Sequence, residues 1–205
     1  MLELNELTLR RGDLSWQHDF FVAPQQCVAV MGPSGSGKTT LLEALGGFVP
    51  IAGGTMTLQG QAMNRLPAEK RPVSTLFQDH NLFEHISVRH NLRLGFARGK
   101  PSSEQWQSVV DACDTLGMTH LIDRLPGELS GGQRQRIALI RTVLRPQPLI
   151  LLDEPFSALD SHNRELAGNW LVEAVRAAQK MLIFVTHQPD DATHWADKTI
   201  QLSPV

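Results

Sequence analysis

The sequence predicts an α/β fold with a mainly parallel sheet, an antiparallel β subdomain beside it and an inserted helical subdomain. Three observations carry that expectation. Short apolar runs at Cys27–Met31, Leu149–Leu152 and Met181–Val185 are bounded by turn or polar residues, the pattern of strands buried on both faces of a parallel sheet. The first of them runs through Gly32 into a helical segment. Between Asp79 and Leu125 strand-like runs disappear and helix-compatible segments replace them.

Taken in order, Leu2–Leu9, Ser15–Val22 and Thr55–Leu58 alternate partially, with glycines near their ends, and read as antiparallel strands. Cys27–Met31 opens the parallel sheet. Lys38–Leu45 is the helix that follows, and Gly46-Gly47 supplies its stop. Val73–Phe77 reads as another buried strand. Within the insertion, Ser103–Leu116 begins after Pro101 and ends at Gly117, which frames a helix. Beyond Gln133 the residues Ile137, Ile140 and Leu144 share one helical face, and the runs at Leu149 and Met181 complete the sheet. The chain therefore reads as one domain, 1–205, with a core of 1–78 and about 140–205 and an insertion of about 79–139. No internal repeat, heptad run or low-complexity linker interrupts it.

Composition narrows the function classes. With 205 residues, 41% hydrophobic and 20% charged, the chain is too apolar for disorder and too polar for a membrane-embedded protein. A chain of this length buries roughly two-thirds of its unfolded surface and needs no disulfide or metal to fold. The 21 acids and 19 bases nearly cancel, which argues against nucleic-acid binding through a basic surface. Cys27 and Cys113 lie in apolar segments and read as buried thiols of a reducing compartment. The acidic start lacks the regions of a signal peptide, and no apolar run approaches the ~20 residues of a spanning helix. Work at a membrane would need a partner that spans it.

Three motifs carry chemistry. Gly32-Pro33-Ser34-Gly35-Ser36-Gly37-Lys38-Thr39, followed by Thr40, fits G-x-x-x-x-G-K-[ST] between a strand and a helix. Its glycines permit the turn that aims backbone N–H groups at phosphate oxygens. Lys38 reaches the β- and γ-phosphates, and the Thr39 hydroxyl suits Mg²⁺. Asp153 and Glu154 end the run Leu149–Leu152, where open α/β sheets place ligand-facing groups. Asp153 fits the Mg²⁺ shell and Glu154 the polarisation of an attacking water. Ser130-Gly131-Gly132-Gln133 satisfies a capping box at a helix start, and such a start is also an anion site.

The phosphate loop, Gln78, Leu129–Gln133, Leu149–Glu154, Ser157-Ala-Leu-Asp160 and His187 stand in the order found in ATP-binding cassette (ABC) ATPases, which the chain resembles over nearly its whole length. The resemblance implies a P-loop NTPase core. It also implies a head-to-tail homodimer holding two ATP molecules, in which Ser130, Gly131, Gly132 and Gln133 contact the γ-phosphate bound to the opposite subunit. On the same ground Gln78 senses Mg²⁺ and the attacking water, Asp160 runs along the dimer interface, and His187 contacts the γ-phosphate and holds Glu154 and the water. The other histidines read as ordinary polar residues, since His80, His85 and His90 are spaced by five and share no helix face.

Two departures from the family stand out. The chain has no Tyr, and Arg11 occupies the position where relatives stack an aromatic ring on adenine; a guanidinium plane also stacks, and Trp16 is the alternative. After His187 only Gln188–Val205 remain, which leaves no room for a regulatory domain.

Arg71–Gln78 followed by Asn81–His85 resembles bacterial importer subunits, particularly those of thiamine uptake. That implies an ATP- and Mg²⁺-dependent ATPase, peripheral on the cytoplasmic face of the inner membrane. Its partners would be an integral-membrane permease and a periplasmic solute-binding protein, with Leu82, Phe83, Ile86 and Val88 as the docking face; ordinary core packing is the equal alternative for each of these four residues. The rival readings are a soluble ABC ATPase of the assembly-scaffold type and a P-loop small-molecule kinase. The kinase would not need Leu129–Gln133.

Overall fold

Side-chain alternation along the central strands sends successive residues into two separate hydrophobic clusters, and this fixes the layers. The computed structural model describes residues 1–78 and 82–203. Asp79, His80 and Asn81, at the expected start of the insertion, lie outside the described residues, as do Pro204 and Val205.

The central sheet comprises β3 (Cys27–Met31), β6 (Val73–Leu76), β7 (Leu149–Asp153), β8 (Met181–Val185) and β9 (Lys198–Gln201), in the order β6-β7-β8-β3-β9 with every neighbour parallel. Val28, Val30, Leu149, Leu151, Ile183 and Val185 face helix α1 (Lys38–Gly46) and the second sheet. Their alternates Ala29, Ile150, Leu152, Leu182 and Phe184 face α4 (Gly131–Val143) and α5 (Ser161–Ala177). Burial on both sides is why these runs read as continuous apolar stretches. The edge strand β9 has no such run; its residues alternate between exposed and half-buried, and the sequence did not reveal it.

The second sheet is antiparallel, in the order β2-β1-β4-β5, from β1 (Leu2–Arg11), β2 (Leu14–Val22), β4 (Ile51–Leu58) and β5 (Gln61–Ala62). Its alternation is only partial for a physical reason. Register shifts in both β1 pairings fall around Glu6, which has φ 49°, and Gly54 crosses this point so closely that a Cβ there would collide with the Glu6 carbonyl. That bulge displaces the period-2 pattern, so β4 begins at Ile51 rather than at Thr55.

Helix α1 ends as expected: Gly47 (φ 88°) donates to Ala44 O, and Phe48 N donates to Glu43 O. The buried Arg71 guanidinium adds a second cap, with Nη1 donating to Ala44 O and Leu45 O. The segment from 82 onward carries α2 (Val88–Arg93) and α3 (Ser103–Thr115), the latter capped by a reciprocal Ser102–Gln105 pair. The buried amide of Asn91 holds the turn before α2, since Phe83 N donates to its Oδ1 and its Nδ2 donates to the Phe83 and Ile86 carbonyls. The docking and core readings of the apolar segment divide by residue here. Val88 is fully buried and belongs to the core, not to an exposed docking face, whereas Phe83 is 51% exposed and Leu82 and Ile86 are half-buried. Helices α5 and α6 (Pro189–Trp195) complete the fold. Among the described residues no helix is long and apolar enough to cross a membrane.

Candidate functional site

The phosphate loop connects β3 to α1, and two of its glycines are required by contact as well as by backbone. Gly32 has φ 151°, and a Cβ there would lie 2.6 Å from Leu202 O. Gly37 has φ 89° at the α1 N-cap, and a Cβ would lie 2.7 Å from the Trp16 indole nitrogen. The loop thus rests on Trp16, and α1 presents its unpaired N–H groups to the cleft above. Lys38, 7% exposed, folds its ammonium over the loop and donates to Gly32 O and Pro33 O at 2.8 and 2.9 Å. Ser34, Gly35, Gly37, Lys38, Thr39 and Thr40 line a cleft of about 490 Å³. Ser36 does not line it; its side chain is fully buried, and its N–H donates to Pro33 O, so it shapes the loop from behind.

The carboxylates arrive from the end of β7. Asp153 is nearly buried and accepts from Thr39 Oγ1 at 3.0 Å. Burial raises its pKa, opposed by the Thr39 hydrogen bond and the Lys38 charge, while Glu154 and Glu43 add to the rise. Glu154 adopts φ 49°, a conformation held from several sides. Its N–H donates to Val185 O, and its carbonyl accepts from Ser157 N, Ser157 Oγ and Gln135 Nε2. The Glu154 side chain meets the imidazole of His187, Oε1 to Nε2 at 2.5 Å, and both line the cleft with Gln78. His187 stands two residues past the end of β8, so parallel pairing of β7 with β8 sets the two groups side by side.

At the rim, Arg11 and Leu14 close one end of the cleft. The Arg11 guanidinium is exposed and 3.7 Å from the Glu43 carboxylate. Trp16 lies in β2, 7% exposed against Gly37 of the loop, and lines the same cleft beside Arg11 and Leu14. Leu14, 44% exposed, escaped the sequence reading, which had no reason to single out one apolar residue after a hairpin turn.

Ser130, Gly131, Gly132, Gln133 and Asp160 lie apart from this cleft. Ser130 Oγ accepts from Gln133 N while Ser130 N donates to Gln133 Oε1, closing the expected capping box on α4. Gly132 sits against Ala158 O, where a Cβ would be at 3.0 Å, and Gly131 faces open space. Asp160 caps α5, and the Asn163 N–H and amide groups hold its carboxyl below the usual carboxylate range. These residues form a second, contiguous polar surface with no phosphate loop of its own. Among the described residues no cluster of His, Cys, Asp and Glu is arranged to hold a metal. The oxygen set of Thr39, Asp153 and Gln78 is the remaining candidate.

Comparisons with known proteins agree with this geometry. The family model described as "ABC transporter" matches residues 17–157. The chain is 43% identical over 203 residues to a thiamine import ATP-binding protein, ThiQ, of Vibrio cholerae, covering 96% of this chain and 85% of the relative. It is 40% identical to the protein of that name from Escherichia coli K12, covering 98% and 87%. Among solved structures, it superposes with a TM-score of 0.84 on the dimeric post-hydrolysis state of the ATP-binding cassette MJ0796 bound to ADP and Pi, at 26% identity and covering 98% and 94%. Another dimeric structure of that bacterial ABC transporter cassette gives 0.85, at 26% identity and covering 99% and 94%. The order of motifs, the two-sheet fold and these relatives together establish that the chain belongs to the ABC transporter family of ATP-binding cassettes.

Proposed function

We propose that this chain is the ATP-hydrolysing subunit of a bacterial ABC importer for a thiamine-like solute. The observation that carries the reading is the Glu154–His187 pair at 2.5 Å, lining the same cleft as the phosphate loop and Gln78. The loop amides and Lys38 bind the β- and γ-phosphates, with the ammonium leaving its present carbonyl partners for phosphate oxygens. Thr39, Asp153 and Gln78 offer only hard oxygen donors, which suits Mg²⁺. A Mg²⁺ held by these three side chains would offset the negative charge of the phosphate oxygens during transfer. Glu154 takes a proton from the water that attacks the γ-phosphorus as the bond to ADP breaks, and His187 holds the carboxylate in line.

The polar surface of Ser130–Gln133 and Asp160 is incomplete alone, and its separation from the cleft supports a head-to-tail homodimer in which each subunit completes the other's site. The dimeric structures of the related cassette support pairing of two copies. The thiamine importer relatives support a permease partner. In this reading the subunit sits peripherally on the cytoplasmic face of the inner membrane, and a periplasmic solute-binding protein completes the system. Phe83 and its half-buried neighbours Leu82 and Ile86 would meet the permease.

The test is Glu154→Gln. It keeps shape and removes the base, so steady-state hydrolysis falls about 10²–10⁴-fold. Nucleotide binding persists, and an ATP-held dimer accumulates on size exclusion. Near-normal turnover would remove Glu154 from this role.

A further inference from the structure

Behind the Glu154–His187 pair, on the side away from the phosphate loop, lies a small cleft of about 140 Å³ lined by Glu154, His187, Thr186, Arg164 and Asp191 among others. Asp191 belongs to α6 and is 2% exposed, an unusual place for a carboxylate. Its Oδ2 accepts from Thr186 Oγ1 at 2.6 Å, and Thr186 Oγ1 in turn accepts from Gln188 N at 3.1 Å. The residues on either side of His187 are therefore tied to one buried carboxylate. The other oxygen, Oδ1, has no hydrogen-bond partner; its nearest cation is Arg164 Nε at 3.6 Å, itself buried and without a hydrogen bond. Arg164 stands one helical turn after Asp160, and its N–H donates to the Asp160 carbonyl.

We infer that Asp191 is a positioning residue for hydrolysis, holding the His187 turn through Thr186 and linking it through Arg164 to the Asp160 end of α5. The inference rests on the proposed role of His187 with Glu154 and adds what sets the imidazole in place. A buried carboxylate with one oxygen short of a hydrogen bond is costly to keep for packing alone, because a buried charge must be compensated. The 3.6 Å gap to Arg164 leaves a contact that tightens if α5 shifts by a few tenths of an ångström. Closure of a partner on the Asp160 surface would then be felt at His187 through three side chains, Arg164, Asp191 and Thr186. Asp191 and Arg164 touch neither the phosphate loop nor the rim of the nucleotide cleft, so ATP affinity is expected to be independent of them.

The test is a double-mutant cycle on the full-length chain, measuring kcat and KM for ATP and the melting temperature. Asp191→Asn is expected to lower kcat roughly tenfold or more with KM for ATP unchanged, the loss typical of a misplaced catalytic group. Thr186→Val removes the hydroxyl at constant shape and is expected to do the same, while Thr186→Ser restores turnover. In a His187→Ala background Asp191→Asn should cost little further, because the residue it positions is gone. If His187→Ala slows hydrolysis but the two losses multiply independently, the relay is wrong and the assignment of His187 stands. If His187→Ala hydrolyses at the wild-type rate, both fall. A variant that only loosens the fold would lower the melting temperature and move KM with kcat, which overturns the positioning role.

Discussion

Replacing Gly37 by Ala tests how the phosphate loop is held, and the cost separates into two parts. The first is backbone: an L residue at φ 89° pays about 1–2 kcal/mol for left-handed geometry. The second is contact. A Cβ at Gly37 would lie 2.7, 2.8 and 2.9 Å from three indole atoms of Trp16, where carbon contacts normally settle at about 3.5–4.0 Å. Trp16 is 7% exposed between the loop and the sheet, so the ring has nowhere to turn without moving β2 or the loop. Overpacking of this kind costs about 1–3 kcal/mol. Together the loss is about 2–5 kcal/mol, a large share of the ~5–15 kcal/mol that holds a domain together.

Gly35 supplies the control. Its φ is 81°, but a Cβ there meets nothing within 4 Å, so Gly35→Ala should cost only the backbone part, about 1–2 kcal/mol. Urea denaturation without nucleotide, which avoids stabilisation by ligand, measures both. Trp16→Leu opens space under the loop, and in that background Gly37→Ala should lose about 1–3 kcal/mol less than it does in the wild type. Equal costs for the two glycine variants, or no relief from Trp16→Leu, would refute the account of Trp16 as the prop beneath the loop.

Arg11 is exposed and paired with Glu43 across 3.7 Å, a weak tie, so ATP, GTP and CTP should bind with similar dissociation constants in competition titrations. Arg11→Tyr should tighten ATP by about 1 kcal/mol, and a strong ATP preference that survives Arg11→Ala would move the base contact to Trp16 or Leu14. Phe83→Asp should abolish solute uptake by the reconstituted importer while leaving hydrolysis by the isolated subunit intact, because Asn91 pins the backbone there and the ring itself is exposed; collapse of the basal ATPase would make Phe83 a core residue. Lys180 donates to Val143 O and Arg145 O, and burial lowers its pKa from 10.5 to about 8. The unfolded chain therefore holds that proton to higher pH than the folded one, and stability relative to Lys180→Met should rise between pH 8 and pH 10.5. A flat difference in paired urea melts across that window would count against a perturbed lysine.

What could be read from the residues in order was whatever depends on local chemistry. The strands Cys27–Met31 and Met181–Val185 are buried on both faces, so their composition alone marks them; the glycines of the phosphate loop mark a backbone that few other residues tolerate. The Ser130–Gln133 capping box is likewise a relation across three residues, and it forms as read. The relations that escaped are those between distant segments. Trp16 precedes Gly37 by a strand and a turn, and nothing in either neighbourhood announces that the indole lies under the loop. Arg71 caps a helix that ended long before it in the chain, and Asp191 of α6 meets Arg164 of α5 across a strand and two turns. The Glu6–Gly54 bulge is the same case in a sheet: two residues from separate strands interrupt the alternation, which leaves β1 only partly alternating and hides the Ile51–Gly54 start of β4. Val88 fails in the opposite direction, since an apolar residue at the start of a helix looks alike whether it faces a partner or the core. Only the packing of α2 against α4 decides it, and that packing places Val88 inside while leaving Phe83, five residues earlier, in solvent.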